Sequence, residues 1–237
     1  GHCALIDTVV DTTERDLDVI SKLGLTLDYT IDTHIHADHL TAAVKLKALS
    51  KSKIIYPAIC ELPCVDIGAK EGEAIKVGNI SLHPLFTPGH TDHHFAYLFD
   101  NGTQQMVFTG DALLIEACGR TDFQSGDAAT LYKSIHEKIF SLPDDTLIYP
   151  GHDYSGRLVS SVQQEKQPPR RPGRRLGPRP GGQQTRRRSR RRSACAAGTA
   201  AASSRSGMAR TGGNDVDLLA RDQRDVLVGL LRLLVLL

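Results

Sequence analysis

The stretch Thr33-His34-Ile35-His36-Ala37-Asp38-His39 decides how the rest of the chain is read. Along an extended backbone, residues i and i+2 share a face, so His34 and His36 can point at one centre. Asp38 and His39 then fall where a helix is expected to begin. So much imidazole and carboxylate is costly to bury unless a metal ion neutralises and fixes it.

Working outward, further metal-ligating residue types recur, each in a loop after an apolar, strand-like run. Residues 81–86 lead into Thr87-Pro88-Gly89-His90-Thr91, residues 106–108 into Thr109-Gly110-Asp111, and residues 146–149 into Pro150-Gly151-His152. A glycine beside each ligand permits a sharp turn there. The assembled set is His34, His36, Asp38, His39, His90, Asp111 and His152, enough nitrogen and oxygen for one or two first-row metal ions. A histidine-rich polar loop is the plain alternative for residues 33–39, and the matching downstream contexts argue against it. His83, His93, His94 and His136 lie outside the pattern and read as surface or core-edge histidines; the start of a strand accounts for His93 and His94.

The order H-x-H-x-D-H, G-H-T, G-D, G-H resembles the metallo-β-lactamase superfamily over about residues 1–167. Within it, residues 109–154 resemble the persulfide dioxygenases, the group that includes the ethylmalonic encephalopathy protein. The string is Gly110-Asp111-Ala112-Leu113-Leu114-Ile115, then Cys118-Gly119-Arg120-Thr121-Asp122-Phe123. It continues through Leu131-Tyr132, Ile135-His136, Ile139-Phe140, Leu142-Pro143 and Leu147-Ile148-Tyr149-Pro150.

The resemblance implies an α/β fold, the metallo-β-lactamase-like αββα sandwich, with the metal at one edge of two packed sheets. It implies one Fe(II) per chain on His34, His90 and Asp111. His36, Asp38, His39 and His152 then surround that ion or line a vacant second site, with Asp38, His39 and His152 acting in catalysis. Arg120 and Tyr154 match positions that contact glutathione in related glyoxalases; a salt bridge from Arg120 to Asp122 or Glu116 is the structural alternative. The activity implied is oxidation of glutathione persulfide by O2 to sulfite and glutathione. The glyoxalase II hydrolases share the ligand set, so a hydroxyacylglutathione hydrolase with two Zn(II) per chain stays open.

Composition divides the 237 residues in two. Residues 1–167 carry 13 Lys and Arg against 23 Asp and Glu, a net charge of −10, and all ten histidines. Residues 168–237 carry 16 Arg against 4 Asp, a net charge of +12, and no Lys, Glu, His, Ile, Phe or Tyr. The abrupt change after Gln167 reads as a low-complexity, disordered basic tail, out of frame or fused to an incomplete domain. Its core, Arg186-Arg187-Arg188-Ser189-Arg190-Arg191-Arg192, supports a reading of another class, an inactive fragment with a nucleic-acid-binding arm. The main reading has no nucleic-acid partner. The domain itself, residues 1–167, reads as truncated at both ends against the family it resembles.

Cysteines at positions 3, 60, 64, 118 and 195 form no framework of paired spacings, which fits a reducing compartment. The cytoplasm is the expected location, the mitochondrial matrix the alternative. The apolar stretch 226–237 is broken by Gly229 and Arg232 and is too short to span a bilayer as a helix. No membrane partner is expected; a homodimer is an open assembly.

Periodicity predicts a buried strand over residues 3–10, a helix from Thr12 or Thr13 to Leu23, and a strand over 27–33 that delivers the histidines. A helix is expected over 39–50, with Leu40, Val44 and residues 46–49 on its apolar side. Hairpins are expected about Gly78-Asn79 and Asp100-Asn101-Gly102, then a helix over 128–140 and a strand over 147–149.

Overall fold

The structure, a computed structural model, describes residues 1–154 and 156–167 in full and the backbone of Leu233–Leu236. Strand β1, His2–Ile6, sends alternate side chains to two different clusters. Cys3 and Leu5 pack with Ile20, Leu27, Ala42 and Leu46, whereas Ala4 and Ile6 pack with Ile31, Ile55, Leu82 and Tyr97. A strand covered on both faces is apolar throughout, which is why its alternation is poor.

Helix α1 (Thr13–Lys22) is followed by Gly24 at φ +64° and then by β2 (Thr26–Ile31). Helix α2 (Ala43–Ser50), β3 (Lys53–Pro57) and β4 (Ile67–Ala69) come next, and β1 to β4 pair in parallel. Strands β5 (Ile75–Val77) and β6 (Ile80–Phe86) form a hairpin with Gly78 at φ +55°. Strands β7 (Phe95–Asp100) and β8 (Gln105–Gly110) extend that sheet antiparallel. Helix α3 (Ala128–Ser134) continues as a π turn over Ile135–Ile139, and β9 (Leu147–Pro150) returns parallel to β8. Strand β10 (Ser160–Ser161) leads into the short α4 (Val162–Lys166). The backbone of β11 (Leu233–Leu236) pairs antiparallel with β1.

The sheets therefore run β11-β1-β2-β3-β4 and β10-β9-β8-β7-β6-β5. Between them lies a core of Ala4, Ile6, Ile31 and Ile55 against Val77, Leu82, Phe95, Tyr97 and Phe108. Ile20 of α1 and Leu46 of α2 cover the outer face of the first sheet. Leu131, Ile135 and Ile139 cover the second through Ala96, Val107 and Ile148. The layers are α, β, β, α, as expected.

Four local expectations are corrected. The first strand stops at Ile6, because Asp7 turns the chain at φ +50°. The second helix starts at Ala43 rather than residue 39. Val10 donates its N–H to the Leu40 carbonyl at 2.9 Å, and Ala42 donates to the Thr8 carbonyl at 3.1 Å, so residues 40–42 are tied to the loop after β1. Its apolar side is also not where expected: Ala43 and Leu46 are buried, but Leu40, Val44 and Leu49 are 75%, 59% and 59% exposed. The helix over 128–140 is interrupted at its π turn, where Phe140 donates to Ile135, five residues back, at 2.8 Å. The basic tail core at residues 186–192 and the rest of 168–232 lie outside the described residues.

Candidate metal centre

Each ligand-bearing loop leaves the carboxyl end of a strand. Asp7 follows β1, residues 33–39 follow β2, His90 follows β6, Asp111 follows β8 and His152 follows β9. His34, His90 and Asp111 converge so that one ligand atom from each lies within 4.8 Å of the others. A second group, His36, Asp38 and His39, meets the same limit, and so does a third, Asp7, Asp32 and His36.

Hydrogen bonds fix which ring nitrogen each histidine offers. Thr33 Oγ1 donates to the Asp7 carboxylate at 3.0 Å, which leaves it an acceptor for Nδ1–H of His34 at 2.9 Å. The Nε2 of His34 is thereby left for the centre. His90 donates Nδ1–H to the Arg120 carbonyl at 2.8 Å, and its Nε2 lies 3.7 Å from Asp111 Oδ2. His36 turns Nε2 to Asp7 at 3.0 Å, while its buried Nδ1 makes no hydrogen bond. His39 is similar, with Nδ1 at 3.2 Å from Asp38 and a buried Nε2 that makes none. Buried imidazole nitrogens that make no hydrogen bond, beside carboxylates and with the opposite nitrogen anchored, are what a metal site presents. The donor set therefore fits a first-row ion on His34, His90 and Asp111, and leaves His36, Asp38, His39 and His152 as donors for a second.

His152 bridges the groups: Nδ1 lies 2.7 Å from Asp111 Oδ1 and Nε2 2.9 Å from Asp38 Oδ2. Burial would raise the Asp111 pKa, but the His152 hydrogen bond and the charges of His152, His34 and His90 outweigh it and hold the carboxyl below its ordinary range. Asp38 is held low chiefly by hydrogen bonds from His152 and His39. Burial pushes His34 well below the ordinary histidine range and lowers His94 to about 3. Burial would lower His36 as well, yet Asp7 and Asp32 prevail and lift it to about 10. The cluster thus combines two imidazoles kept neutral, His34 and His94, with a His36 that its carboxylate neighbours favour as the cation, and with Asp111 and Asp38 held in the ionised form.

Close approach explains two glycines of the motifs. At Gly110, φ +49°, a Cβ would lie 2.6 Å from Thr33 Oγ1 and 2.7 Å from His94 Nε2. At Gly151 a Cβ would lie 2.4 Å from Asp111 Oδ1.

The Arg120 side chain is 65% exposed and forks onto Asp122, Nε to Oδ1 at 2.8 Å and Nη2 to Oδ2 at 3.1 Å. Its guanidinium also lies 5.6 Å from the centre of the Phe123 ring. Glu116 pairs instead with Arg157 at 3.2 Å. Tyr154, 76% exposed, stacks on His152 with ring centres 6.0 Å apart.

Sequence reasoning passed over Asp7, Asp32, His93, His94 and Gln124. His94 is fully buried, and its ring stacks on that of His34 at 5.1 Å. His93 accepts the Ile35 N–H at Nε2. Both are more than strand-start residues, and their closeness to His90 in sequence was the available signal. Asp7 ends a strand, as Asp111 does shortly after β8, so the same strand-then-acid pattern marks it. Gln124, remote from every histidine, carried no signal.

A model of the metallo-beta-lactamase superfamily matches residues 65–152. The crystal structure of ETHE1 from Myxococcus xanthus superposes with a TM-score of 0.66 at 43% identity, covering 70% of this chain and 72% of that one. The chain belongs to the metallo-beta-lactamase superfamily. Within it, the chain is 46% identical to the mitochondrial persulfide dioxygenase ETHE1 of Mus musculus over 165 residues, 70% of this chain and 64% of that protein. It is 33% identical to the hydroxyacylglutathione hydrolase of Methylobacterium over 156 residues, 65% of this chain and 58% of the relative. The chain thus spans less than two thirds of the length of these curated relatives.

Proposed function

We propose that the chain is an iron-dependent persulfide dioxygenase that oxidises glutathione persulfide. The overall change is GSSH + O2 + H2O → GSH + SO3²⁻ + 2 H⁺, in which the sulfur pair gives four electrons to O2. The observation that carries this reading is the convergence of His34, His90 and Asp111 within 4.8 Å, two imidazoles and one carboxylate. Identity of 46% to a persulfide dioxygenase against 33% to a hydroxyacylglutathione hydrolase supports it.

One Fe(II) on that triad, when bound, supplies oxygen activation and leaves positions for substrate. The protein's own groups orient and neutralise. Thr33 and the Arg120 carbonyl hold His34 and His90 in the tautomers that present Nε2. His152, between Asp111 and Asp38, is placed to hold a proton at Nε2 beside the solvent-facing Asp38 carboxylate. His39 partners the same carboxylate. Arg120, on the loop whose carbonyl holds His90, offers a guanidinium for a substrate carboxylate, with Tyr154 flanking His152.

Among the described residues no helix is long and apolar enough to cross a membrane. Cys3, Cys60 and Cys64 are free thiols, which suits a reducing compartment, cytoplasmic or mitochondrial. A second reading, the two-zinc thioester hydrolase, is favoured by one observation, the intact His36, Asp38 and His39 group.

The test pairs metal analysis of anaerobically purified protein with oxygen uptake on glutathione persulfide. One iron per chain and stoichiometric sulfite are expected; two tightly held zinc ions with thioesterase activity would overturn the assignment. Arg120→Ala should raise KM for glutathione persulfide roughly tenfold with kcat little changed, as removal of uniform binding does. Loss of soluble protein instead would mark Arg120 as an anchor for its loop.

A further inference from the structure

Ile35 lies between His34 of the first donor group and His36 of the second. Its segment has left β2, yet three of the four polar groups of its two peptides are bound by side chains. Tyr56 of β3 donates its hydroxyl to the His34 carbonyl at 2.9 Å. His93, before β7, accepts the Ile35 N–H at Nε2, 3.1 Å away. Gln124 donates Nε2 to the Ile35 carbonyl at 2.9 Å. Backbone groups in regular structure are held by neighbouring backbone. Here three remote side chains replace it, so the spacing of His34 and His36 depends on residues that are not ligands.

The two outer clamps are themselves braced. His93 Nδ1 lies 2.7 Å from Asp92 Oδ1, so Nδ1–H donates to that carboxylate and Nε2 is the acceptor facing Ile35. Gln124 and its neighbour Ser125 have φ of +48° and +59°, consecutive left-handed residues. Backbone conformations of that kind are unfavourable outside glycine and persist where surrounding contacts impose them. The loop that carries Gln124 touches the centre twice more: Gly119 donates to the Asp111 carbonyl at 2.9 Å, and the Arg120 carbonyl accepts from His90.

We propose that His93 and Gln124 are positioning residues that clamp Ile35 from opposite sides and thereby set how tightly the centre holds its metal. The inference rests on the reading of this cluster as a metal centre. Partners that orient metal ligands change affinity by roughly 10–100-fold when removed. His93 and Gln124 act one bond further away, through the peptide that joins two ligands, so a loss of about tenfold is expected for each.

The experiment uses the full chain, freed of metal, with Zn(II) titrated against a chromophoric chelator and Co(II) as a spectroscopic probe. His93→Phe and Gln124→Leu should each weaken the first Zn(II) by about tenfold and shift the visible Co(II) bands. His93→Asn, whose amide oxygen can accept the Ile35 N–H, should recover most of the affinity. The double variant should lose less than the product of the two, because both act on one peptide segment. Affinities within twofold of the parent, with only a lower Tm of the metal-free protein, would make both residues merely structural and overturn the inference. If the parent chain bound neither ion, the metal-centre reading would fall and the inference with it. Should His93→Phe not fold, Gln124→Leu decides alone.

Discussion

His36 is held between Asp7 and Asp32, whereas at His34 and His94 desolvation by burial outweighs the pull of Asp7 and Asp111. These opposite perturbations set a pH profile for the metal-free protein. A raised folded pKa gives stability that is full below the unfolded value and is lost as pH rises through the folded one. For His36 that loss runs from about 6.5 to about 10. Depressed imidazoles work in the other sense: His94 resists protonation down to about 3, so stability falls as pH drops below 6.5. Asp111 and Asp38, held low, add a further loss once pH enters the carboxylate range. Urea midpoints of chelator-treated protein should therefore peak near pH 6.5 and fall on both sides. A midpoint that rose steadily from pH 6.5 to 10 would show that Asp7 and Asp32 do not stabilise a charged His36.

At the scale of the element, α2 is the instructive case. Leu46 is fully buried against Cys3, Leu5, Ile20 and Leu27, whereas Val44 and Leu49 are exposed. Leu46→Ala should cost about 3 kcal/mol of unfolding free energy, within the range for truncating a buried leucine. Val44→Ser should stay within about 0.5 kcal/mol. Chemical denaturation of the two variants checks this, and equal losses would place Val44 in the core. Spacing alone could not assign these faces. Leucine, valine and alanine hold seven of the ten positions from 40 to 49, so the apolar pattern has no clear direction. What rotates the helix is the pairing of residues 40–42 with the loop after β1, a contact between segments far apart in sequence. The strands were more legible, since each ligand loop follows an apolar run and the hairpins carry their turn residues. The π turn was not, for it depends on which carbonyl Phe140 reaches.

At the scale of the molecule, the intersheet core contains none of the candidate ligands. Metal removal should lower Tm but leave the far-ultraviolet circular dichroism nearly unchanged. A ligand that binds only the folded state stabilises by about 2.7 kcal/mol at a hundred times its Kd. Chelation to a random coil would mean that the two sheets cannot hold without the ion. The seven candidate donors stood out in the sequence because metal chemistry restricts residue type. Gln124 gave no such sign, since it acts through a hydrogen bond to backbone and many residue types make those; Asp7 and His93 were marked only by position, after a strand and beside His90.

The placement of donors along the chain has a kinetic consequence. His34, His36, Asp38 and His39 are neighbours in any conformation, while His90, Asp111 and His152 arrive only when β6, β8 and β9 have found their places. An unfolded chain in excess Zn(II) can therefore capture the ion on the local four donors before the distant three exist. That premature complex must loosen before His34 and His36 can part into their two groups. Refolding from urea should be slower with Zn(II) present from the start than with Zn(II) added after the sheets have formed.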